Sequence, residues 1–305
     1  MNILRTIGAI ATGIVALSAV SAAQAETRVT FKSAKAASSY YQMAAQFAEA
    51  IKTGTDGEII VTVEESQGSV QNVMEASVRP GNYLFTSPPA LVGLAQAGKG
   101  AFEGRPTEKF NEVRALFPIP SLTMHFVMRA DSGVTDFAGL EGKTILLGKG
   151  SFGANEGEKY LDLFGLKDKV TLSEAELSNA VAALKNGQID GFVTAGSWPA
   201  PNVIDAAAGT DVNILSLSDD QLAMTKRDLT VIPAGTYNGQ KDDIRTSSLS
   251  VVAYATTEMD DETAYQLTKT YWGQKSAMSS NASWWKGVTQ EMLANIKGKI
   301  HPGAL

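Results

Sequence analysis

Short apolar runs alternate with stretches of helical periodicity from Val29 onward, and that rhythm predicts an α/β protein. Arg28 to Lys32, Ile59 to Glu64 and Tyr83 to Phe85 read as strands. Ser38-Ser39 predicts the cap of a helix carrying Tyr41, Ala44, Ala45, Ala48 and Ile51 and ending near Gly54. A short helix is expected over Ser69 to Ser77, and Ser87-Pro88-Pro89 opens another that runs to Ala97. Residues 98 to 112 are glycine-rich and polar and predict a loop. Val113 to Phe117 and Leu122 to Arg129 predict two strands parted by the Pro118-Ile119-Pro120 break. A compact unit follows: strand Thr144 to Leu147, loop Gly148 to Gly153, helix Ala154 to Phe164. Lys169 to Leu172 reads as a strand, Leu177, Ala180, Val181 and Leu184 mark one helical face stopping at Gly187, and Ile189 to Thr194 is again a strand. Ser248 to Tyr254 predicts a long apolar strand and Asp261 to Tyr271 a helix.

The first residues follow a different pattern. Arg5 supplies a positive start, Ile7 to Val20 is uncharged and apolar, and Ala23-Gln24-Ala25 ends the segment with small-x-small spacing. The apolar run is short for a membrane span, which needs about 20 residues. Residues 1–25 are therefore expected to be a signal peptide cleaved after Ala25, with the product exported to a periplasm.

Composition narrows the chemistry. The 305-residue chain carries 26 basic and 32 acidic side chains, a net charge of −6, so no nucleic-acid partner is expected. It has no cysteine, which excludes disulfides, thiolate metal sites and thiol nucleophiles, and the cysteine-free composition fits an oxidising compartment. The two histidines, His125 and His301, lie far apart; His125 sits in an apolar strand and reads as a packed residue. The acid pairs Glu64-Glu65, Asp219-Asp220, Asp242-Asp243 and Asp260-Asp261 read as solvated turns and caps. No G-x-S-x-G elbow is present. No catalytic residue, metal site or cofactor is expected, and the chain reads as a binding protein and not an enzyme.

Three strand-to-helix turns stand out. Gly148-Lys149-Gly150-Ser151-Phe152-Gly153 matches G-x-G-x-x-G, but no acid follows in the context a dinucleotide requires. Two readings stay open there: a small-anion cradle of amides, helix dipole and Lys149, or a tight turn without a ligand. Gln67 to Asn72 offers a second polar turn, with Ser69 as cap and Asn72 one turn in. Thr194-Ala195-Gly196-Ser197-Trp198-Pro199 follows a buried strand at the end where open α/β sheets bind ligands. Trp198 there suits either a core position or a stacking wall.

Asp131-Ser132-Gly133-Val134 with Leu140-Glu141-Gly142-Lys143, Ala183 to Asp190, Ile232 to Tyr237 and His301-Pro302-Gly303-Ala304 occur in an order that resembles the TAXI family, the solute receptors of tripartite ATP-independent periplasmic (TRAP) transporters. The resemblance implies a two-domain periplasmic binding protein with hinge strands, a type II-like clamshell of α/β class. It places domain one at 26–125 plus 248–305 and domain two at 126–247. It implies a small-molecule organic anion, a carboxylate, dicarboxylate or glutamate-like compound, as solute, and TRAP membrane permease subunits as partners. A periplasmic ligand-sensing subunit for a membrane-bound kinase is the alternative, since both need the same clamshell. The loops that would hold the solute supply Ser38, Ser39 and Tyr40; Asn72; Thr86 and Ser87; Lys149, Gly150, Ser151, Phe152 and Gly153; and Thr194, Gly196 and Trp198. Amides and hydroxyls of Ser38, Ser39, Ser151 and Gly153 are expected to take carboxylate oxygens, Asn72 and Thr194 to orient, Tyr40 and Trp198 to form walls. The chain departs from the family pattern at Ala36-Ala37, where glycines are usual, at Ser87-Pro88-Pro89, where an acid is common, and at Lys149. The last two changes favour an anion without an amino group.

Overall fold

The computed structural model describes residues 26–105, 107–149, 151–296 and 298–305; the expected signal peptide and Gly150 lie outside them. In chain order the first part supplies β1 (Thr27–Lys32), α1 (Ser39–Gly54), β2 (Ile59–Glu64), α2 (Ser69–Glu75), β3 (Tyr83–Ser87), α3 (Pro89–Gln96) and the one-turn α4 (Thr107–Phe110). The 17-residue β4 (Val113–Arg129) leads to β5 (Thr144–Leu146), α5 (Phe152–Leu163), β6 (Thr171–Ser173), α6 (Ala180–Lys185) and β7 (Gly191–Gly196). Then come α7 (Pro201–Gly209), β8 (Val212–Ile214), α8 (Asp219–Thr225) and β9 (Asp228–Ile232). The chain returns through β10 (Ile244–Thr256) and closes with α9 (Asp261–Asn281) and short 3-10 turns.

All ten strands belong to one mixed sheet in the order β2-β1-β3-β10-β4-β7-β5-β6, with β8 added to β4 and β9 to β10. Its two wings are parallel, as right-handed crossovers through helices require, and its centre is antiparallel. The centre is β4 and β10, and both run through the two wings. β10 meets β3 at Val252 to Tyr254 and β9 at Ile244 to Ser248; β4 meets β10 up to Thr123 and β7 from Thr123 to Met128. Two lobes thus hang on a pair of shared strands, the clamshell arrangement that the sequence predicted.

The prolines predicted to break β4 do not. Between Leu249 and Val251 of β10 the partners on β4 go from Leu122 to Ile119, so β4 carries one extra residue at Pro120-Ser121. A bulge of this kind absorbs a proline, because its backbone has no ladder partner to lose. The freed carbonyls find side chains instead. Tyr40 of α1 donates its hydroxyl to Pro120 O at 2.9 Å, and Ser197, just past β7, donates to Ser121 O at 2.6 Å. Tyr271 of α9 does the same for Pro118 O at 2.7 Å.

Other differences have local causes. The segment 98–112 holds a 3-10 turn, Gly100–Phe102, and α4, because Phe102 and Phe110 bury each other with ring centroids 5.4 Å apart. The stretch after β7, for which no elements are predicted, forms α7, β8, α8 and β9; α8 begins with a capping box between Ser218 and Gln221. α9 continues to Asn281, ten residues past the expected end, and Trp285 just beyond it packs edge-on to Tyr271. Tyr271 in turn stacks on Phe117 of β4 at 4.1 Å between centroids. Each such buried aromatic contributes about 1.5–3 kcal/mol.

Two buried polar contacts fix the second lobe. Glu156 on α5, 4% exposed, receives two bonds from Arg227, Nε to Oε1 at 2.7 Å and Nη2 to Oε2 at 3.1 Å. His125 is fully buried; its Nδ1 lies 3.2 Å from Thr123 O, which only accepts, so Nδ1 carries the proton. Nε2 then accepts from the Tyr237 hydroxyl at 2.9 Å, and that oxygen accepts from Ala200 N. The histidine is a packed core residue, as its apolar setting predicted, tying β4 to the loop that carries Tyr237.

Glu156→Gln is expected to lower stability by about 3 kcal/mol, since it strands a half-buried guanidinium; an unchanged urea midpoint would contradict this. Burial pushes the His125 imidazole down to about 4, from an ordinary 6.5. A histidine depressed in the fold stabilises fully above its unfolded value, and that contribution fades as pH falls from about 6.5 toward about 4, by roughly 3 kcal/mol. Urea unfolding at about pH 7 and about pH 4.5 should show this loss. His125→Gln should lack that part of it.

Candidate functional site

The lobes face each other across the carboxyl ends of β1, β2 and β3 on one side and of β5 and β7 on the other, the location open α/β sheets use for ligands. Between them lies a cavity of about 50 Å³. The first lobe contributes Ser33, Ser38, Tyr40, Gly68 and Thr86 to its wall, and the second contributes Gly148, Lys149, Ser151, Phe152 and Gly153. Leu122 and Val251, from the two shared strands, form its back, with Val193 and Ala195 of β7 beside them.

Three helix starts converge here. Ser38 caps α1, its Oγ accepting from Tyr41 N at 3.3 Å; Ser151 caps α5, its Oγ accepting from Ala154 N at 2.9 Å. The first amides of each helix, Ser39 and Tyr40 in α1 and Phe152 and Gly153 in α5, have no acceptor among the described residues. α2 starts from Gly68, whose φ of +115° is a conformation that glycine adopts without strain. A Cβ on Gly68 would lie 3.9 Å from Phe152 N, so the α2 turn faces the start of α5 across the cleft. Gly153 lets α5 press onto β7: an added Cβ would fall 2.7 Å from Ala195 Cβ.

Of the residues expected from sequence, Ser38, Tyr40, Thr86, Lys149, Ser151, Phe152 and Gly153 line the cavity. Phe152, half-buried, also packs onto the first lobe's core. Gly150 falls outside the described residues. The others sit behind the wall. Asn72 is fully buried and donates Nδ2 to Ser33 O at 2.8 Å and Thr86 O at 3.2 Å, which ties the end of β1 to β3. Ser87 donates to Pro88 O; Thr194 accepts from Asn202 Nδ2 at 2.9 Å; Trp198 packs on the second lobe's core beside Ala200 and Val203. Ser39 and Gly196 touch each other: Ser39 Oγ accepts from Ser197 N at 2.9 Å, and a Cβ on Gly196 would lie 2.6 Å from that oxygen. They join the lobes beside the cavity.

Sequence reasoning missed Ser33, Leu122, Leu177, Val193 and Val251 on the wall. One signal was available. Side chains alternate along a strand, so once β7 is assigned, Thr194 and the pair Val193 and Ala195 must face opposite ways.

Charge at the mouth is arranged in pairs. Lys149 Nζ lies 2.6 Å from Glu174, and Lys35 Nζ lies 3.0 Å from Glu176. Glu176 also accepts from Gln67 Nε2 at 3.3 Å, so one second-lobe carboxylate holds two first-lobe side chains. These bonds hold the Glu176 carboxyl below its usual range, with Lys35 the larger cause, and the Glu174 hydrogen bond raises Lys149. Inside, burial holds the Tyr40 hydroxyl well above its ordinary value, so it stays a neutral donor. Among the described residues no group of three or more His, Asp or Glu is arranged to hold a metal ion. No described helix is long and apolar enough to cross a membrane.

Several solved structures share this architecture. The periplasmic binding protein BugD aligns over 92% of this chain and 96% of its own with a TM-score of 0.59 at 13% identity. MatC (Rpa3494) from Rhodopseudomonas palustris, solved with bound malate, aligns over 88% and 95% with a TM-score of 0.57 at 13% identity. A structure described as a periplasmic transporter aligns over 92% and 90% with a TM-score of 0.58 at 11% identity. Such identities establish a common fold. Residues 31–305 match the NMT1-like family along their whole length, and the chain belongs to that family.

Proposed function

We propose that the protein is an extracytoplasmic solute receptor that binds a small organic acid between its lobes and delivers it to a TRAP-type membrane permease. The observation that carries this reading is the cavity itself, lying between two lobes and bordered by first amides of α1 and α5 that have no acceptor among the described residues. Amides at helix starts attract anions through both their free N–H groups and the helix dipole. MatC, a fold relative, holds malate, a small organic acid. The residue pattern that resembles TAXI receptors favours the TRAP partner and an exported protein freed of residues 1–25.

In this reading residues 26–125 plus 248–305 form one lobe and 126–247 the other, hinged where β4 and β10 pass between them. Solute docks on one open lobe, and the other closes over it. Closure is driven by the difference in affinity between the closed and open forms; moving a 1:99 balance to 99:1 takes about 5.5 kcal/mol. Ser39–Ser197, Glu176 with Lys35 and Gln67, and Phe152 on the first lobe's core are among the direct contacts that closure would form.

Protein refolded from denaturant to strip bound solute should be stabilised by some member of a panel of organic acids, by about 4 kcal/mol at a thousandfold excess over Kd. Unfolding unmoved by every acid would overturn the reading. Gly196→Ala places a methyl against Ser39 Oγ and should weaken the best acid at least about tenfold, which is 1.4 kcal/mol. Equal affinity would mean that closure does not bring these two residues together.

A further inference from the structure

We infer that the solute is an aliphatic carboxylate with a single negative charge and no ammonium group, seated with its carboxylate toward the starts of α1 and α5 and its hydrocarbon against the shared strands. This deepens the solute-receptor reading and rests on it.

The polar half of the cavity offers mainly donors. Beside the amides at the starts of α1 and α5, Thr86 lines the wall at 4% exposure, and its hydroxyl makes no hydrogen bond to a described residue. That hydroxyl is open to the cavity and not sealed from it, so a ligand oxygen can bond it there. The other half is hydrocarbon: Leu122, Val193, Ala195, Val251 and Leu177. An apolar body fits there, and a second charged group would lose its water against those side chains without a replacement bond.

Charge excludes the alternatives at both ends. Among the described lining residues there is no carboxylate, so an amino acid's ammonium would enter the cavity without an anionic partner. A second carboxylate turned outward would meet Lys35 and Lys149, which line the cavity but are each already paired, with Glu176 and Glu174. With both cations engaged, no free positive side chain on the described wall offsets a second negative charge.

The test compares 3-methylbutanoate, succinate, malate, valine and glutamate on stripped protein by thermal unfolding and calorimetry. The expected result is that 3-methylbutanoate binds at least tenfold more tightly than each of the others, and that Thr86→Val weakens it about tenfold while the ligand-free melting temperature stays put. Tighter or equal binding of succinate, malate, valine or glutamate would overturn this inference and leave the organic-acid receptor standing. Wild-type affinity in Thr86→Val would remove Thr86 from the site and with it the seating proposed here. If none of the five shifts unfolding, the monocarboxylate inference falls. Only a response to no organic acid at all would carry the receptor reading down with it.

Discussion

The structure depends on two carbonyls in one strand. β4 has to pass from one lobe to the other without interruption, and it does so through a bulge at Pro120-Ser121 whose backbone acceptors face no neighbouring strand. Buried carbonyls without donors are costly. Tyr40 and Ser197 satisfy them from opposite sides, one at the start of the first lobe's principal helix and one just past the second lobe's central strand. The bulge thereby fixes where α1 begins and where β7 ends, and those two points frame the cleft. Ser39, next to Tyr40, then reaches Ser197 N, so a single cluster of short side chains joins strand, helix and opposing lobe.

The field inside the cleft follows from this placement. In the proposed reading its pull on an anion comes from peptide groups fixed in the fold, while its two lysines are occupied at the rim. Amide donors need no side-chain ordering when a ligand arrives, and they favour an anion by direction as well as by sign. Glu156 and Arg227 set α5 in the body of the second lobe, and Gly153 and Gly157 let it lie close on β7; without that contact the Phe152 and Gly153 amides would not face the cavity.

Much of this was legible in the chain. The Ser38-Ser39 cap gave the start of α1 and the end of the glycine-rich turn that of α5, each to within two residues, and that turn does line the cavity. The break expected at Pro118 and Pro120 was misplaced because the donors that make the prolines tolerable, Tyr271 and Tyr40, lie far away in sequence. The small elements between α7 and β9 carry weak local signals and are held by pairing to β4 and β10. The site was legible as a set of loops but less so as a set of side chains. Asn72 and Thr194 are polar residues next to the cleft that the fold uses for its own bonds, while hydrophobic residues at the back belong to strands whose facing only the register decides.

Glu176 has a consequence for timing. Its bonds to Lys35 and Gln67, like that of Ser39 to Ser197, join protein to protein and owe nothing to a ligand. They favour the shut form whether or not the cleft is filled. A shut and empty cleft admits nothing, so each such bond lengthens the wait before an arriving molecule finds the entrance open, and equally delays the escape of one already inside. Mutual attraction at the rim thus trades speed of capture for length of retention, and salt, which weakens exposed ion pairs more than buried contacts, would shift that trade toward faster exchange.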